Sequence, residues 1–322
     1  MNRRIKVVFI MGYGHSGSTL LDILLGSHDH ITSVGEMVHY DPMSSVRHNL
    51  CACGEKHSQC PYWVEVSKHF KSFVPDAKTF FPTVLKKKFD NWRSLLCWIR
   101  LLRRIKNPSQ EYREYCRHLV ALFNAISMSS NSSIIVDSSK SPCRAATLAG
   151  LNDAIDLRII HLMRDGRGVC WSMMKRIRYS NDIRFSKIKQ LIAFIRAMIG
   201  WTATNLAAEC IVKMGVGGEH YLRIRYEDLV EDHEAFFKQV GIVTGESMHK
   251  PMMAISSGIE LDIGHMAGGN PFRMRKKVVF NPDYDWCRNL PLGYQKLFGV
   301  VCGRVLKRYG YASHYTKQKK TQ

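Results

Sequence analysis

VVFIMGYGHSGSTLLDILL, residues 7–25, is the stretch that decides the fold of this sequence. Arg4 to Met11 is a β-branched, apolar run, which predicts a buried parallel strand. A glycine-rich turn follows it, and a helix is expected from Leu20 to Leu25 with Gly26 as its end. Backbone N–H groups of such a turn converge on an anion, and the helix adds its positive N-terminal end. The stretch therefore predicts a phosphate-binding loop, with an ordinary capped strand-to-helix turn as the alternative.

The loop lacks one residue that nucleotide triphosphate sites need. A Walker A loop has Gly-Lys-Ser/Thr at its end, whereas this chain has Gly17-Ser18-Thr19. The hydroxyls of Ser18 and Thr19 can still donate to a phosphate. We infer a site for a phosphate group that carries less charge than a magnesium triphosphate.

Further strands are expected along the chain, separated by helices. The predicted strands are Ile31–Val34, Ile134–Val136, Leu157–Met163 and Tyr221–Tyr226, and helices are expected over 168–176 and 232–240 and after Pro142. This order is typical of a three-layer α/β/α domain with a parallel central sheet. Ligands bind at the carboxyl ends of the strands in such sheets, where most polar clusters of this sequence lie.

The domain organisation and the compartment follow from length and composition. The 322 residues are 45% hydrophobic, and we expect one domain over 1–315 with an insertion at 40–110, a lid or irregular region at 245–290 and a basic tail at 316–322. No secretory signal is expected, because the apolar run Val7–Met11 is short and leads directly into the glycine loop. No membrane-spanning helix is expected either, because the best apolar stretch, Leu191–Trp201, is short and carries Arg196. Ten cysteines in a chain this long do not make a disulfide scaffold. We predict a cytoplasmic protein.

The charge balance predicts an anionic partner. The formal net charge is +20, which suits a phosphorylated cofactor, an acidic glycan or an anionic membrane surface. Nucleic acid is not expected, because no recognition module is present.

Four ordered motifs resemble the sulfotransferases that use 3′-phosphoadenylyl sulfate (PAPS), which have a P-loop-like fold. Residues 14–21, GHSGSTLL, are similar to the family's loop for the 5′-phosphosulfate. Residues 164–172, RDGRGVCWS, resemble its motif for the 3′-phosphate. Residues 225–230, RYEDLV, and 265–273, HMAGGNPFR, resemble two further blocks, the second typical of bacterial members.

The resemblance implies the residues that hold the donor. Gly14, His15, Ser16, Gly17, Ser18, Thr19 and Leu20 would surround the 5′-phosphate, Arg164 and Ser172 would bind the 3′-phosphate, and Tyr226 and Arg273 would complete the donor site. His15 departs from the family, which commonly has Arg or Lys there. For Arg164 the alternative is a surface salt bridge with Asp165, and for 265–273 it is a plain loop rather than a lid.

Two residues resemble the catalytic pair of tyrosylprotein and some carbohydrate sulfotransferases. Glu36, at the end of the second strand, would take the proton from an acceptor hydroxyl. Lys140 would neutralise the leaving oxygen as the S–O bond breaks. The alternatives are a capping acid for Glu36 and a solvated loop lysine for Lys140. Asp137 is expected to orient Lys140 or to cap the next helix, and Glu227 to be structural.

The insertion carries two features that the resemblance leaves unassigned. Cys51, Cys53, His57 and Cys60 are possible metal ligands, but their spacing does not match the common zinc signature, so we favour a local disulfide or buried thiols. Val84–Lys106 is basic and amphipathic. It would pack on the core with a solvated basic face, touch an anionic membrane as a peripheral contact, or bind an acidic acceptor.

The function expected from the sequence is sulfuryl transfer from PAPS to an acceptor hydroxyl of a carbohydrate or glycolipid, with no metal required. A P-loop-type kinase or nucleotide hydrolase is the alternative, which the missing lysine opposes. A non-catalytic basic module that binds polyanions or membranes is the third possibility.

Overall fold

The computed structural model describes residues 4–40, 50–76, 89–90, 107–178, 183–216, 218–275 and 277–312. The strands of the main sheet are β1 (Ile5–Met11), β2 (Ile31–Ser33), β3 (Ile134–Lys140), β4 (Ile155–Met163) and β5 (Tyr221–Arg225), and a small antiparallel pair is formed by β6 (Leu261–Asp262) and β7 (Lys277–Val278). The helices are α1 (Ser18–Gly26), α2 (Pro61–Phe73), α3 (Gln110–Ser130), α4 (Pro142–Ala149), α5 (Gly166–Arg178), α6 (Ile183–Lys213), α7 (Tyr226–Glu231), α8 (His233–Thr244), α9 (His249–Ser256), α10 (Trp286–Asn289) and α11 (Leu292–Arg308).

The five strands of the main sheet are all parallel, in the order β2-β3-β1-β4-β5. Alternate residues of the central strand β1 face opposite sides, because side chains alternate along a strand. Val7 and Phe9 join the apolar core formed with α2, α3 and α4, whereas Val8 and Ile10 join the core formed with α1, α8 and α9. The predicted three-layer α/β/α architecture with a parallel sheet is confirmed.

The register between β1 and β3 shifts near the carboxyl edge of the sheet. Phe9 lies opposite Asp137, but Met11 lies opposite Lys140, so β3 has one additional residue at this point. Lys140 has a φ of +68°, and its carbonyl accepts a hydrogen bond from the N–H of Gly12 at 3.3 Å. The irregularity places Lys140 beside the first residue of the glycine loop.

Most predicted elements are observed with small changes of boundary. Tyr226, predicted to end the fifth strand, begins α7 instead, and Asp232 caps α8 by accepting a hydrogen bond from the N–H of Ala235. The region 245–290, predicted to be irregular, contains α9, α10 and the β6–β7 pair. The interpretation of 84–106 lies outside the described residues except for Phe89 and Asp90, which are both buried.

The long helix α6 was not expected. By length and composition its segment Lys187–Lys213 could cross a membrane, although half of the apolar window is buried within the domain. Phe194 and Trp201 of this helix pack in a core with residues of α5 and α11. Arg196 and Glu209 interrupt its apolar sequence, and the buried half of α6 is part of the domain core, so this helix is weak evidence for a membrane span.

Candidate active site

The glycine loop forms a cradle that a larger side chain would disrupt. Gly12 has a φ of +146°, and a Cβ there would lie 2.4 Å from the Leu162 carbonyl oxygen. Gly17 has a φ of +91°, and its Cβ would lie 2.6 Å from Cδ2 of Tyr226. The Oγ atom of Ser16 is buried and has no hydrogen-bond partner among the described residues. A buried, unpaired hydroxyl costs free energy unless a ligand satisfies it, so the loop fits an anionic group.

The start of α1 follows the loop as predicted. Ser18 and Thr19 form its first turn and are buried, and Leu20 packs partly against the core. The Thr19 hydroxyl accepts a hydrogen bond at 3.2 Å from the N–H of Asn270, in the segment His265–Arg273. We call this segment the strap. The loop and the strap are therefore in direct contact.

The predicted 3′-phosphate residues lie against the glycine loop. His15 Nδ1 is 2.9 Å from Ser172 Oγ, and the guanidinium of Arg164 donates to the His15 carbonyl at 3.3 Å. The same guanidinium lies 4.8 Å from the centre of the Tyr226 ring and donates to the Asp283 carbonyl at 2.6 Å. The Asp283 N–H in turn donates to the Tyr226 hydroxyl at 3.0 Å. Residues that are distant in sequence thus form one connected cluster.

Arg164 does not pair with Asp165, so that alternative is wrong. Asp165 accepts two hydrogen bonds from the guanidinium of Arg167, at 2.9 and 2.6 Å. Arg164 instead forms an ion pair with the Asp283 carboxylate at 3.2 Å. Glu227 accepts from the Asp165 N–H and the Tyr311 hydroxyl, each at 3.0 Å, and burial raises its pKa to about 7. These contacts fit the expected structural role of Glu227.

Glu36 and Lys140 form an ion pair at the ends of β2 and β3. Lys140 Nζ donates to Glu36 Oε1, and both side chains are mostly buried, with 15% and 16% exposure. Glu36 Oε2 lies 3.4 Å from His39 Nε2. Lys140 is therefore not a solvated loop lysine, and the Glu36 side chain makes no capping hydrogen bond.

Electrostatics keep Glu36 ionised. Burial would raise the pKa of this carboxyl, but the Lys140 ammonium and the His39 side chain act in the opposite direction and hold the pKa at about 2. Since Lys140 is the largest stabilising influence, the basicity of Glu36 depends on where Lys140 points.

Asp137 does not cap the next helix, and it acts on Lys140 through the backbone rather than by direct contact. Its carboxylate accepts from Arg144 Nε at 2.8 Å and from the Ser139 N–H at 3.0 Å, and all of these groups are buried. The helix cap of α4 is Ser141, whose hydroxyl accepts from the Arg144 N–H. Asp137 makes no direct hydrogen bond to Lys140. It fixes the backbone turn from which Lys140 extends.

The strap continues the sheet beyond β2. The Ala267 N–H donates to the Val34 carbonyl at 2.8 Å, and the Glu36 N–H donates to the Gly268 carbonyl at 3.1 Å. Arg273, at the far end of the strap, is buried to 5% exposure. Burial lowers the pKa of Arg273, whereas nearby Glu36 and Cys51 raise it. The strap is therefore fixed at its first half and brings a cation close to Glu36.

Of the two favoured interpretations of the insertion cysteines, the local disulfide is not observed, and one of the possible metal ligands, His57, does not face the sulfurs. Cys51, Cys53 and Cys60 are free thiols that lie close together, but Nε2 of His57 is 3.1 Å from the Ala267 carbonyl oxygen, away from the sulfurs. The imidazole that faces the sulfurs belongs to His265. His265 lies more than 200 positions from the cysteines, so the spacing of residues in the sequence could not identify it as a ligand.

Asp22 is a buried residue next to the site that the sequence motifs did not indicate. It accepts hydrogen bonds from the hydroxyls of Ser33 at 2.6 Å and Ser138 at 2.5 Å, and burial raises its pKa to about 7. It therefore links α1 to the ends of β2 and β3. The available signal was an acid within an otherwise apolar helix, a position where an unpaired carboxylate is costly.

Comparison with known proteins assigns the chain to a class. Residues 7–247 match the model of the sulfotransferase family. No curated protein sequence matches. Among solved structures, the fold is similar to the sulfotransferase domain of the Synechococcus PCC 7002 olefin synthase, with 17% identity, coverage of 93% of this chain and 96% of that one, and a TM-score of 0.46. It is also similar to the sulfotransferase domain from the curacin biosynthetic pathway, with 13% identity, coverage of 96% and 99%, and a TM-score of 0.49.

A third similar structure is a sulfotransferase from Mycobacterium tuberculosis, with 14% identity, coverage of 78% of this chain and 71% of that one, and a TM-score of 0.45. The family match spans most of the chain, so the protein belongs to the sulfotransferase family. It is a sulfotransferase with the P-loop-like α/β fold. The family generally uses PAPS as donor and hydroxylated molecules as acceptors.

Proposed function

We propose that this protein transfers the sulfuryl group of PAPS to a hydroxyl of a carbohydrate or glycolipid. The observation that carries the donor assignment is the contact between His15 and Ser172, at 2.9 Å. It joins the glycine loop to the Arg164 motif, so two anion-binding elements share one edge of the sheet. A donor with phosphates at both the 5′ and 3′ positions needs such a pair, whereas ATP needs only the loop.

The residues of the cradle fit this donor. Loop N–H groups and the Ser16 hydroxyl would donate to the 5′-phosphate, at the positive end of α1. Arg164 would turn from the Asp283 carboxylate, which is 3.2 Å away, to pair with the 3′-phosphate, and Ser172 would donate to it. Arg273 would add a further cation from the strap.

The pair at the sheet edge would carry out the proton and charge movements. In an in-line displacement, the acceptor oxygen forms the new S–O bond while the bond from sulfur to the bridging phosphate oxygen breaks. Glu36 takes the acceptor proton, and Lys140 stabilises the charge that develops on the leaving oxygen.

The ion pair couples the proposed role of Glu36 as base to the proposed role of Lys140 at the leaving oxygen. While Lys140 is bound to Glu36, the carboxylate is ionised but a weak base, because its pKa is about 2. When Lys140 turns toward the leaving oxygen, burial still acts on Glu36 and its pKa rises. Glu36 thus gains basicity as Lys140 moves to the donor.

The carbohydrate or glycolipid acceptor rests on the resemblance of Glu36 and Lys140 to the catalytic residues of tyrosylprotein and some carbohydrate sulfotransferases. A screen of hydroxylated acceptors with radiolabelled PAPS tests it, using sugars, glycolipids, tyrosine peptides and alkyl alcohols. Transfer to glycans or glycolipids is expected. Transfer confined to another acceptor class would contradict the proposed acceptor but would leave the assignment of PAPS as the donor unchanged.

Calorimetry tests the donor itself. We expect tight binding of adenosine 3′,5′-bisphosphate, the product of PAPS, and weak binding of ATP with Mg²⁺. The reverse preference would favour a kinase or nucleotide hydrolase. Absence of binding to either nucleotide would favour the basic module that binds polyanions or membranes. On a membrane, the protein would in that case be a peripheral membrane protein.

A further inference from the structure

Three cysteines of the insertion converge on one histidine of the strap. The Sγ atoms of Cys51 and Cys60 are 3.6 Å apart, and His265 Nδ1 lies 3.6 Å from the first and 3.3 Å from the second. With Cys53 Sγ included, the four ligand atoms all lie within 4.8 Å of one another. The grouping unites two parts of the chain that are more than 200 residues apart.

These separations match the edges of a metal-centred tetrahedron. Zinc lies about 2.3 Å from thiolate sulfur and about 2.0–2.1 Å from imidazole nitrogen. In a regular tetrahedron those bond lengths place two sulfurs about 3.8 Å apart and a sulfur and a nitrogen about 3.5 Å apart. The observed distances of 3.3–3.6 Å are close to both values.

The backbone around the cysteines is built as a tight turn. The Cys51 N–H donates to the Glu55 carbonyl at 2.8 Å, and the Gly54 N–H donates to the Cys51 carbonyl at 2.9 Å. Gly54 has a φ of +97°, which favours glycine. Cys60 directly precedes α2, and the positive end of a helix stabilises a thiolate there.

The histidine is oriented by the first turn of α2. Trp63 Nε1 donates to the His265 carbonyl at 2.9 Å. The ring of Tyr62 stacks on the imidazole, with the planes 9° apart and the centroids 5.2 Å apart. These two contacts hold the His265 ring so that Nδ1 faces the sulfurs.

We propose that Cys51, Cys53, Cys60 and His265 bind one Zn²⁺ ion. Three thiolates and one imidazole form a soft donor set that suits zinc, and four protein ligands leave no open position, which defines a structural site rather than a catalytic one. On binding, the thiols release their protons to solvent and the imidazole binds in its neutral form.

The zinc would join the insertion to the strap. His265 begins the segment whose Gly268 carbonyl accepts the N–H of Glu36. A metal at this position would therefore hold the strap against the sheet edge beside Glu36. The assignment of the metal stands on its own geometry and does not depend on the donor or the acceptor.

Metal analysis of the full chain, with any affinity tag removed, tests the proposal. Inductively coupled plasma mass spectrometry should find about one zinc ion per wild-type chain. The variants Cys51→Ser and His265→Ala should each lack bound zinc. Cys210→Ser, at an exposed thiol, should keep the wild-type content. His30→Ala should also keep it, because it removes a ligand of the more exposed His28, His30 and Glu246 group.

A second measurement uses the wild-type protein, so that the proposal can be tested even if the variants fail to fold. Cobalt exchanged into the wild-type protein should show thiolate-to-metal charge-transfer bands and the strong visible bands of tetrahedral coordination. Weak octahedral bands would overturn the proposal. So would a zinc-free protein that takes up none on dialysis against zinc, stoichiometric iron in place of zinc, or a Cys51–Cys60 disulfide found by thiol labelling of the denatured protein.

Discussion

Replacing Lys140 by methionine should reverse the effect that the charge of Glu36 has on the stability of the fold. The Glu36 pKa of about 2 compares with an ordinary value of 4.5. That lowering corresponds to about 3 kcal/mol in favour of the charged form. Because the folded-state pKa is depressed, this stabilisation is present above pH 4.5 and is lost as the pH falls toward 2.

The variant should reverse that balance at neutral pH. Without the ammonium, the remaining neighbour at 3.4 Å is the mostly exposed His39 imidazole, so burial raises the Glu36 pKa and folding at pH 7 must bury a carboxylate that has lost its main partner. Breaking a buried pair from one side costs about 3–5 kcal/mol, and the slight exposure of this pair places the expected cost at about 3 kcal/mol. Near pH 4 the carboxyl takes up a proton in the variant, and the cost should fall to about 1 kcal/mol.

Urea unfolding at pH 7 and pH 4, monitored by circular dichroism, measures these differences in the free energy of unfolding. The double variant Glu36→Gln with Lys140→Met should recover most of the loss at pH 7, because neither charge is then left alone. The same variants should bind adenosine 3′,5′-bisphosphate within about twofold of wild type but lose about 100-fold or more in transfer rate. A loss of stability that is independent of pH, or effects that simply add in the double variant, would refute the ion-pair argument.

Three further substitutions test other parts of the site. Arg164→Ala should weaken binding of adenosine 3′,5′-bisphosphate by about 1.5–3 kcal/mol in calorimetry, as expected for a charged hydrogen-bond partner; unchanged affinity would remove Arg164 from the donor site. Gly17→Ala should lower the unfolding midpoint, since its φ is +91° and its Cβ would meet the Tyr226 ring at 2.6 Å, whereas Gly14→Ala, with nothing within 4 Å, should not. Arg144→Met strands two buried carboxylates and should cost about 3–5 kcal/mol in urea unfolding; a loss below about 1 kcal/mol would contradict the buried network.

The parallel sheet could be predicted because each strand carries a local signal. The run from Val7 to Met11 is apolar throughout, which is typical of a strand covered on both faces. The helix that follows the glycine turn was predicted from the same short stretch, whereas the central position of this strand in the sheet was not. Because the carboxyl ends of parallel strands lie at the same edge of a sheet, Glu36, Lys140 and Arg164 are expected at one edge.

Long-range partners could not be predicted in this way. The spacing of Cys51, Cys53 and Cys60 says nothing of His265, and His57 was the nearer choice in sequence. The register shift that sets Lys140 beside Gly12 likewise depends on how two strands pair, which no local pattern encodes. Sequence reasoning therefore identified which residue types matter and missed which residues face one another.

In the proposed donor site, the histidine of the glycine loop would act through its position rather than through a fixed charge. His15 Nδ1 lies 2.9 Å from Ser172 Oγ. If the serine hydroxyl donates to Nδ1, the proton of the neutral ring is on Nε2, which remains a hydrogen-bond donor. Under this proposal the cations of the site would be Lys140, Arg164 and Arg273, which come from three separate parts of the chain. The His15 imidazole would then fix the loop relative to the Arg164 motif, and the positive charge for the donor would come from Lys140, Arg164 and Arg273.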